Sequence, residues 1–201
     1  SKNNWILVTD DAKKQKSYNA IVANKLADTN LIGVELAELD ELNDNDIVTI
    51  DGDGIINVIH EANSKHNAIF ITGRCNSNCI MCPQPPIKEE ADRHELNLKH
   101  ISLLPKDTIS IGITGGEPTL IGNKLFEIIN QIKKILPKSY INILSNGIKF
   151  ENLEYARNYA QNINQNTVVD IPLYSDVDTI HNDIVGSKTF HRTIKGIYNL
   201  A

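Results

Sequence analysis

Cys75-Asn76-Ser77-Asn78-Cys79-Ile80-Met81-Cys82 holds every cysteine of the chain, at spacings of four and then three residues. Thiols recruited only to fill a core would be scattered wherever packing wanted a small apolar side chain. Three within eight residues instead point to a metal, and an odd number cannot close into a disulfide framework without a remainder. Three thiolates can hold a cubane of four irons and four sulfides while leaving one iron without a protein ligand. Zinc is the competing reading, with His66, His94 or His100 as a fourth ligand. Zinc sites more often pair two Cys-x-x-Cys units, and a zinc site on loops needs no acidic glycine turn elsewhere, so the cluster reading is favoured.

The flanking sequence shows what carries the cysteines. Ala68-Ile69-Phe70-Ile71-Thr72 reads as a short apolar strand ahead of them. Ile109 to Thr114 reads as a second strand, followed by Gly115-Gly116-Glu117-Pro118 and a helix burying Leu120, Leu125, Ile128, Ile129, Ile132 and Ile135. Tyr140 to Leu144 is a third strand ending at Ser145-Asn146-Gly147, and a helix begins at Leu153. Val168 to Leu173 is a fourth strand ending at Tyr174-Ser175-Asp176, and Phe190, Ile194, Ile197 and Leu200 mark a last helix. Strands alternating with helices predict an α/β fold with a parallel sheet, in which ligands bind at the carboxyl ends of the strands. Each unusual segment falls at such an end.

Residues 1–65 predict a small α+β domain ahead of the 66–201 core. Trp5 to Thr9 is a short strand, with Trp5 in packing. Asp10 or Asp11 caps an expected helix whose stripe is Tyr18, Ile21, Val22 and Leu26. Asp46–Ile50 and Ile55–Ile59 flank Asp51-Gly52-Asp53-Gly54, a hairpin signature. That turn is not a calcium loop, because its glycines come too early and no glutamate closes twelve residues. The polar stretch Glu61–Asn67 reads as a linker.

With 20 basic and 25 acidic residues the net charge is −5, so the whole chain presents no electrostatic footprint for nucleic acid. No apolar run of about 18 residues would span a membrane. The first residues have no secretory pattern. A cytoplasmic protein is expected.

Cys75-x-x-x-Cys79-x-x-Cys82 followed one strand later by Thr114-Gly115-Gly116-Glu117-Pro118 resembles the radical S-adenosylmethionine enzymes. Either motif alone is weak to moderate; together, in this order and strand context, they are specific. The resemblance implies a partial (β/α) barrel with about four of six β/α units, and a [4Fe-4S] cluster on Cys75, Cys79 and Cys82. It further implies S-adenosylmethionine chelating the open iron, and its reductive cleavage to a 5′-deoxyadenosyl radical. Met81, Gly115, Gly116, Glu117, Ser145 and Asn146 are then the cofactor-binding candidates. The glycines would let backbone approach a ligand, and Glu117 would offer an anion to the methionyl ammonium. Met81 departs from the family's usual aromatic residue, which weakens any stacking claim. Ser145-Asn146-Gly147 resembles the family's Thr-Asn-Gly turn. Pro172 lacks the hydroxyl that the family often places at the fourth strand end, which leaves Tyr174 or Ser175.

The run through Pro86 resembles, more narrowly, the radical maturases of the His-Xaa-Ser peptide system. That implies a ribosomal peptide substrate, a reductant such as flavodoxin or ferredoxin, and a possible partner maturase. The alternatives are the same chemistry on a nucleotide or small metabolite, or a non-catalytic iron–sulfur protein; an electron carrier would normally use four protein ligands. Plainer readings hold elsewhere. Pro83, Pro85 and Pro86 stiffen a connection, Lys88 to Arg93 is a solvated helix face, and His181 and His191 are polar residues near a sheet end.

Overall fold

A computed structural model describes residues 6–8, 20–23, 32–35, 42–88 and 91–201. The chain divides into two compact units, Ser1–Asn63 and Ser64–Ala201.

In the first unit, strands β1 (Ile6–Val8), β2 (Ala20–Ala23) and β3 (Ile32–Glu35) form a parallel sheet in that order. Ile21 and Val22, read above as half of a helical stripe, lie in β2 instead. Ala-Ile-Val-Ala is a β-branched run whose local preference is extended. Tyr18 and Leu26, Asp10 and Asp11, and Trp5 lie outside the described residues. The expected hairpin is present: β4 (Ile47–Ile50) pairs antiparallel with β5 (Ile56–His60). Its turn is closed by Asp51, whose Oδ1 accepts from the backbone N–H of Ile55 at 2.8 Å and Asp53 at 3.2 Å.

The second unit is a parallel four-stranded sheet in sequential order: β6 (Ala68–Phe70), β7 (Ser110–Thr114), β8 (Tyr140–Leu144) and β9 (Thr167–Asp170). Helices α1 (His94–Leu103), α2 (Lys124–Ile135) and α3 (Leu153–Asn162) alternate with the strands, and α4 (Asp178–Val185) and α5 (Phe190–Leu200) both follow β9. This is the expected α/β architecture of a partial (β/α) barrel. Neighbouring helices touch in series, α1 on α2, α2 on α3, α3 on α5 and α4 on α5. Three features differ from expectation. β9 ends at Asp170, earlier than Leu173. Residues 91–93 of the charged run are not helical, while Glu89 and Glu90 lie outside the described residues. The long helix after the glycines is split, a 3₁₀ turn over Pro118–Ile121 preceding α2, with Gly122 at φ +63 between them.

One face of this sheet is closed by Ile69, Ile111, Ile113, Ile141 and Ile143, all fully or almost fully buried. The other stays accessible: Tyr140, Leu144 and Val168 are 58%, 47% and 51% exposed. Period-two alternation in Tyr140-Ile-Asn-Ile-Leu144 therefore separates a helix-covered face from a face that borders the strand-end site. Under the helices, Phe150 stacks at 5.5 Å from Tyr155 and 5.1 Å from Tyr159, and Phe126 at 5.2 Å from Tyr155. The hydroxyls of Tyr155 and Tyr159 are buried without a hydrogen-bond partner among the described residues. Burial accordingly pushes both phenols far above their usual range. Removing a buried, unpartnered hydroxyl relieves a desolvation cost of about 1–3 kcal/mol. Tyr159→Phe should thus raise the thermal midpoint by about 2–4 °C or more; a melt followed by circular dichroism that moved downward would contradict this.

No helix among the described residues is long and apolar enough to cross a membrane.

Candidate functional site

The carboxyl ends of β6, β7 and β8 converge. β6 delivers the chain to Thr72 and Arg74, and the ladder to β7 continues past the strand ends. Gly116 N–H donates to Thr72 O at 2.6 Å and Glu117 N–H to Arg74 O at 2.8 Å. A Cβ on Gly115 would meet Thr72 O at 2.3 Å, and one on Gly116 would meet Arg74 O at 2.3 Å. Gly115 also sits at φ +149, where a side chain is strained. The glycines are therefore required by the approach of two protein segments, the acidic turn and the stretch entering Cys75. The expectation above had assigned that freedom to a ligand.

Beyond Arg74 the cysteine loop is held by backbone bonds from a second direction. Asn78 N–H donates to Val185 O at 2.9 Å and Ile80 N–H to Ile184 O at 3.0 Å. These acceptors are the last carbonyls of α4, which have no partner within the helix. Gly186 ends α4 at φ +64, and a Cβ there would meet Asn78 O at 2.5 Å. Cys82 N–H donates to Cys79 O at 3.1 Å, and Ser77 N–H to Cys75 Sγ at 3.4 Å.

All three cysteines are free thiols, Cys75 and Cys79 half-buried and Cys82 exposed. Burial pushes the Cys75 thiol up, assisted by the Glu117 anion. Burial also raises Cys79, with the charges of Cys75 and Cys82 adding to it. Three thiols close enough to repel as thiolates are a poor arrangement without a cation. A bound metal reverses that logic by deprotonating its ligands. Three cysteines on one loop are the donor chemistry of an iron–sulfur group; as the loop stands, no three Cys, His, Asp or Glu among the described residues are gathered closely enough to hold a metal ion, and the Cys82 thiol donates to Gln84 O at 2.9 Å. Of the histidines considered for zinc, His94 turns its Nε2 to Glu127, at 2.8 Å, and is not offered to the thiols. His100 is buried on α1.

Glu117 is the most enclosed charge at the site, 1% exposed. Its Oε1 accepts from Thr119 N–H (3.0 Å), Thr119 Oγ1 (2.6 Å) and Ser145 Oγ (2.9 Å), and its Oε2 from Asn146 N–H (2.7 Å). Ser145, buried, in turn accepts from Gly147 N–H at 3.1 Å. Four donors on a carboxylate with about four acceptor positions leave Oε2 alone with spare capacity. Met81 lies in the loop between Cys79 and Cys82, 46% exposed. Tyr174 stands near the thiols: its phenol is pushed up by burial first and then by Cys79 and Cys82. Its N–H donates to Nδ1 of buried His181 at 3.4 Å, a bond that needs the neutral imidazole, and burial lowers that histidine's pKa. Between the ends of β8 and β9 an open cavity of about 490 Å³ is bounded by Leu144, Ser145 and Asn146 on one side and Asp170, Ile171 and Pro172 on the other.

Thus Cys75, Cys79 and Cys82 share one loop, Gly115 to Glu117 brace it, and Ser145 and Asn146 join it through Glu117. Sequence reasoning missed α4 and its role. The signal available was Gly186 immediately after an apolar Val185, a helix-stop pattern.

The Radical SAM superfamily model matches residues 69–201. The GTP 3′,8-cyclase of Clostridium acetobutylicum is 33% identical over 95 residues, which is 44% of this chain and 29% of that protein. Histidine-tagged anSMEcpe with bound AdoMet is similar in fold, with a TM-score of 0.51 at 22% identity over 67% of this chain and 39% of that one. Native anSMEcpe with bound AdoMet and Cp18Cys peptide gives a TM-score of 0.45 at 21% identity, over 66% and 39%. The chain spans well under half the length of each of these relatives. With the family model covering more than half of the residues, cysteine loop and acidic turn included, the chain belongs to the radical SAM superfamily, whose members employ S-adenosylmethionine and an iron–sulfur cluster.

Proposed function

We propose that this chain carries the cofactor end of a radical S-adenosylmethionine enzyme that acts on a ribosomally made peptide in the cytoplasm. Cys75, Cys79 and Cys82 hold a [4Fe-4S] cluster. When bound, that cluster supplies the electron that cleaves S-adenosylmethionine to methionine and a 5′-deoxyadenosyl radical. The observation that carries the reading is that one loop holds three free cysteines and is braced by the Gly115-Gly116-Glu117 turn, whose backbone bonds reach the residue preceding the first cysteine.

In this reading the chain's own residues bind and orient. The turn at Gly115 and Gly116 presents backbone polar groups to the methionyl end. Glu117, enclosed, provides an anion whose field favours the ammonium, with Oε2 as its one unsaturated oxygen. Met81 borders the adenine side through its backbone, and Ser145 and Asn146 line the cavity at β8. A flavodoxin- or ferredoxin-like reductant supplies the electron, and a second maturase is a possible partner. The peptide assignment rests on the Cys75–Pro86 run, which resembles the His-Xaa-Ser system maturases.

A second reading, radical chemistry on a nucleotide, is favoured by the similarity to a GTP 3′,8-cyclase. The test is anaerobic reconstitution and reduction, followed by chromatography for 5′-deoxyadenosine. Release of that product is expected. Its absence from protein shown to hold a full cluster by iron analysis would overturn the enzyme reading for this chain. Stimulation of turnover by a His-Xaa-Ser-rich precursor, and not by GTP, separates the two substrate classes.

A further inference from the structure

We infer that Asn76, which lies between the first two cysteines, is a positioning residue: its side-chain carbonyl is clamped by the amide of Asn146, tying the cysteine loop to the end of β8 and through Asn146 to Glu117. The inference rests on the reading of that loop as the cluster site.

The hydrogen-bond roles are determined by a chain of partners. Asn146 Oδ1 accepts the backbone N–H of Ile148 at 3.1 Å, so its Nδ2 must face the other way. That Nδ2 donates to Asn76 Oδ1 at 2.6 Å. The backbone of Asn146 is itself held at both ends, its N–H by Glu117 Oε2 at 2.7 Å and its carbonyl by Thr193 Oγ1 of α5 at 3.2 Å. The amide that reaches Asn76 is therefore mounted on a rigid base. Glu117 closes the circuit, because its own N–H donates to Arg74 O, just ahead of Cys75.

The loop is attached on several sides: Arg74 to the acidic turn, Asn78 and Ile80 to the end of α4, the Ser77 hydroxyl to that of Ser187 at 3.4 Å, and Asn76 to β8. The backbone bonds depend on glycines at 115, 116 and 186 that leave room for them, and either serine hydroxyl can donate to the other. The link to β8 needs an acceptor on residue 76 and a donor on residue 146, so it is the one whose direction side-chain identity fixes. Without it, the four residues from Cys75 to Asn78 lose their attachment on the β8 side, and the first two thiols are free to drift apart.

The donor–acceptor direction makes the test asymmetric. Asn76→Asp keeps an acceptor and should preserve the clamp, whereas Asn146→Asp replaces the donor by an anion and should break it. Hydrogen exchange of the reduced apoprotein, resolved at the amides of Asn78 and Ile80, reads the clamp without any cofactor. Asn76→Ala, Asn146→Ala and Asn146→Asp should each speed exchange there roughly tenfold, as expected for one lost hydrogen bond. The Asn76→Ala/Asn146→Ala double variant should be no faster than either single one, because the two act through one bond. Asn76→Asp should exchange like the wild type. Unchanged exchange in the alanine variants, additive effects in the double variant, or equal damage from Asn76→Asp and Asn76→Ala would each overturn the inference. Asn76 is exposed, so its variants answer the question even if those at Asn146 fail to fold.

After reconstitution, Asn76→Ala should lose its iron to a chelator faster than the wild type, because Cys75 and Cys79 are no longer kept in place. If wild-type protein takes up no cluster or cofactor, the proposed function fails while the exchange data still judge the clamp.

Discussion

Cys79→Ala is expected to abolish cluster assembly. The site has three thiols and no fourth protein ligand is needed, so removing the middle one leaves two ligands for a cubane that must be held at three corners. Cys79 is also the thiol whose backbone carbonyl accepts the N–H of Cys82, so it sits at the centre of the loop. Reconstituted wild-type protein should carry about four irons per chain with the corresponding brown absorption, and the variant should fall to background. Production of 5′-deoxyadenosine should fall with it. The fold itself should be indifferent: Cys79 is only half-buried, and substitutions of that kind usually shift stability by about 0.5 kcal/mol or less. Apoprotein melts of wild type and variant should therefore nearly coincide. A variant that still bound a full cluster would show that these cysteines are not its ligands.

Glu117→Ala is expected to destabilise the second unit strongly. It strands Thr119 N–H, Thr119 Oγ1, Ser145 Oγ and Asn146 N–H at a site where the carboxylate is 1% exposed. Each buried donor left without an acceptor costs about 1–3 kcal/mol, and re-pairing with water that enters the space recovers part of it. A net loss of about 3–5 kcal/mol is the expected outcome, read as a lower denaturant midpoint. Glu117→Gln separates the anion from the hydrogen bonds. Its carbonyl can occupy the place of Oε1 and keep three donors, while its amide faces Asn146 N–H and loses that bond. The Gln variant should fold, lose about 1–2 kcal/mol, and bind S-adenosylmethionine more weakly because the negative charge is gone. If the Gln variant bound the cofactor as well as wild type, the role of Glu117 would be confined to joining the strand ends.

The contrast between these two variants reflects what each residue type can announce from its position in the chain. The only three cysteines of the chain, gathered within eight residues, announce a metal site because packing alone would scatter them. Likewise, a glutamate after two glycines at a strand end suggests function, since it is costly there without a purpose. The purpose visible in the structure is partly internal, though: Glu117 gathers donors from Thr119, Ser145 and Asn146. Nothing in the order of residues says that residue 117 meets residue 145, because the pairing arises where β7 and β8 run side by side, Ile113 opposite Ile143.

Local signals misled where two periodicities overlapped. Tyr18, Ile21, Val22 and Leu26 fit a helical stripe, yet Ile21 and Val22 belong to the β-branched run of β2. α4 went unseen for the opposite reason. Asp-Thr-Ile-His-Asn-Asp-Ile-Val is short and largely polar, so neither length nor an apolar stripe marks it.

By itself, then, the sequence determined the parallel α/β plan, the strand ends that carry the chemistry and the three thiols, because period-two and helical apolar spacing and ligand spacing are properties of consecutive residues. Tertiary structure alone decided how the cysteine loop is held: by the free carbonyls of α4, by carbonyl oxygens of Thr72 and Arg74 that leave no room for a Cβ at Gly115 or Gly116, and by the amide of Asn146 on Asn76. Those are contacts between residues 42 to 107 positions apart in the chain, and hydrogen bonds of that kind depend on where the folded strands and helices end in space, which no local pattern encodes.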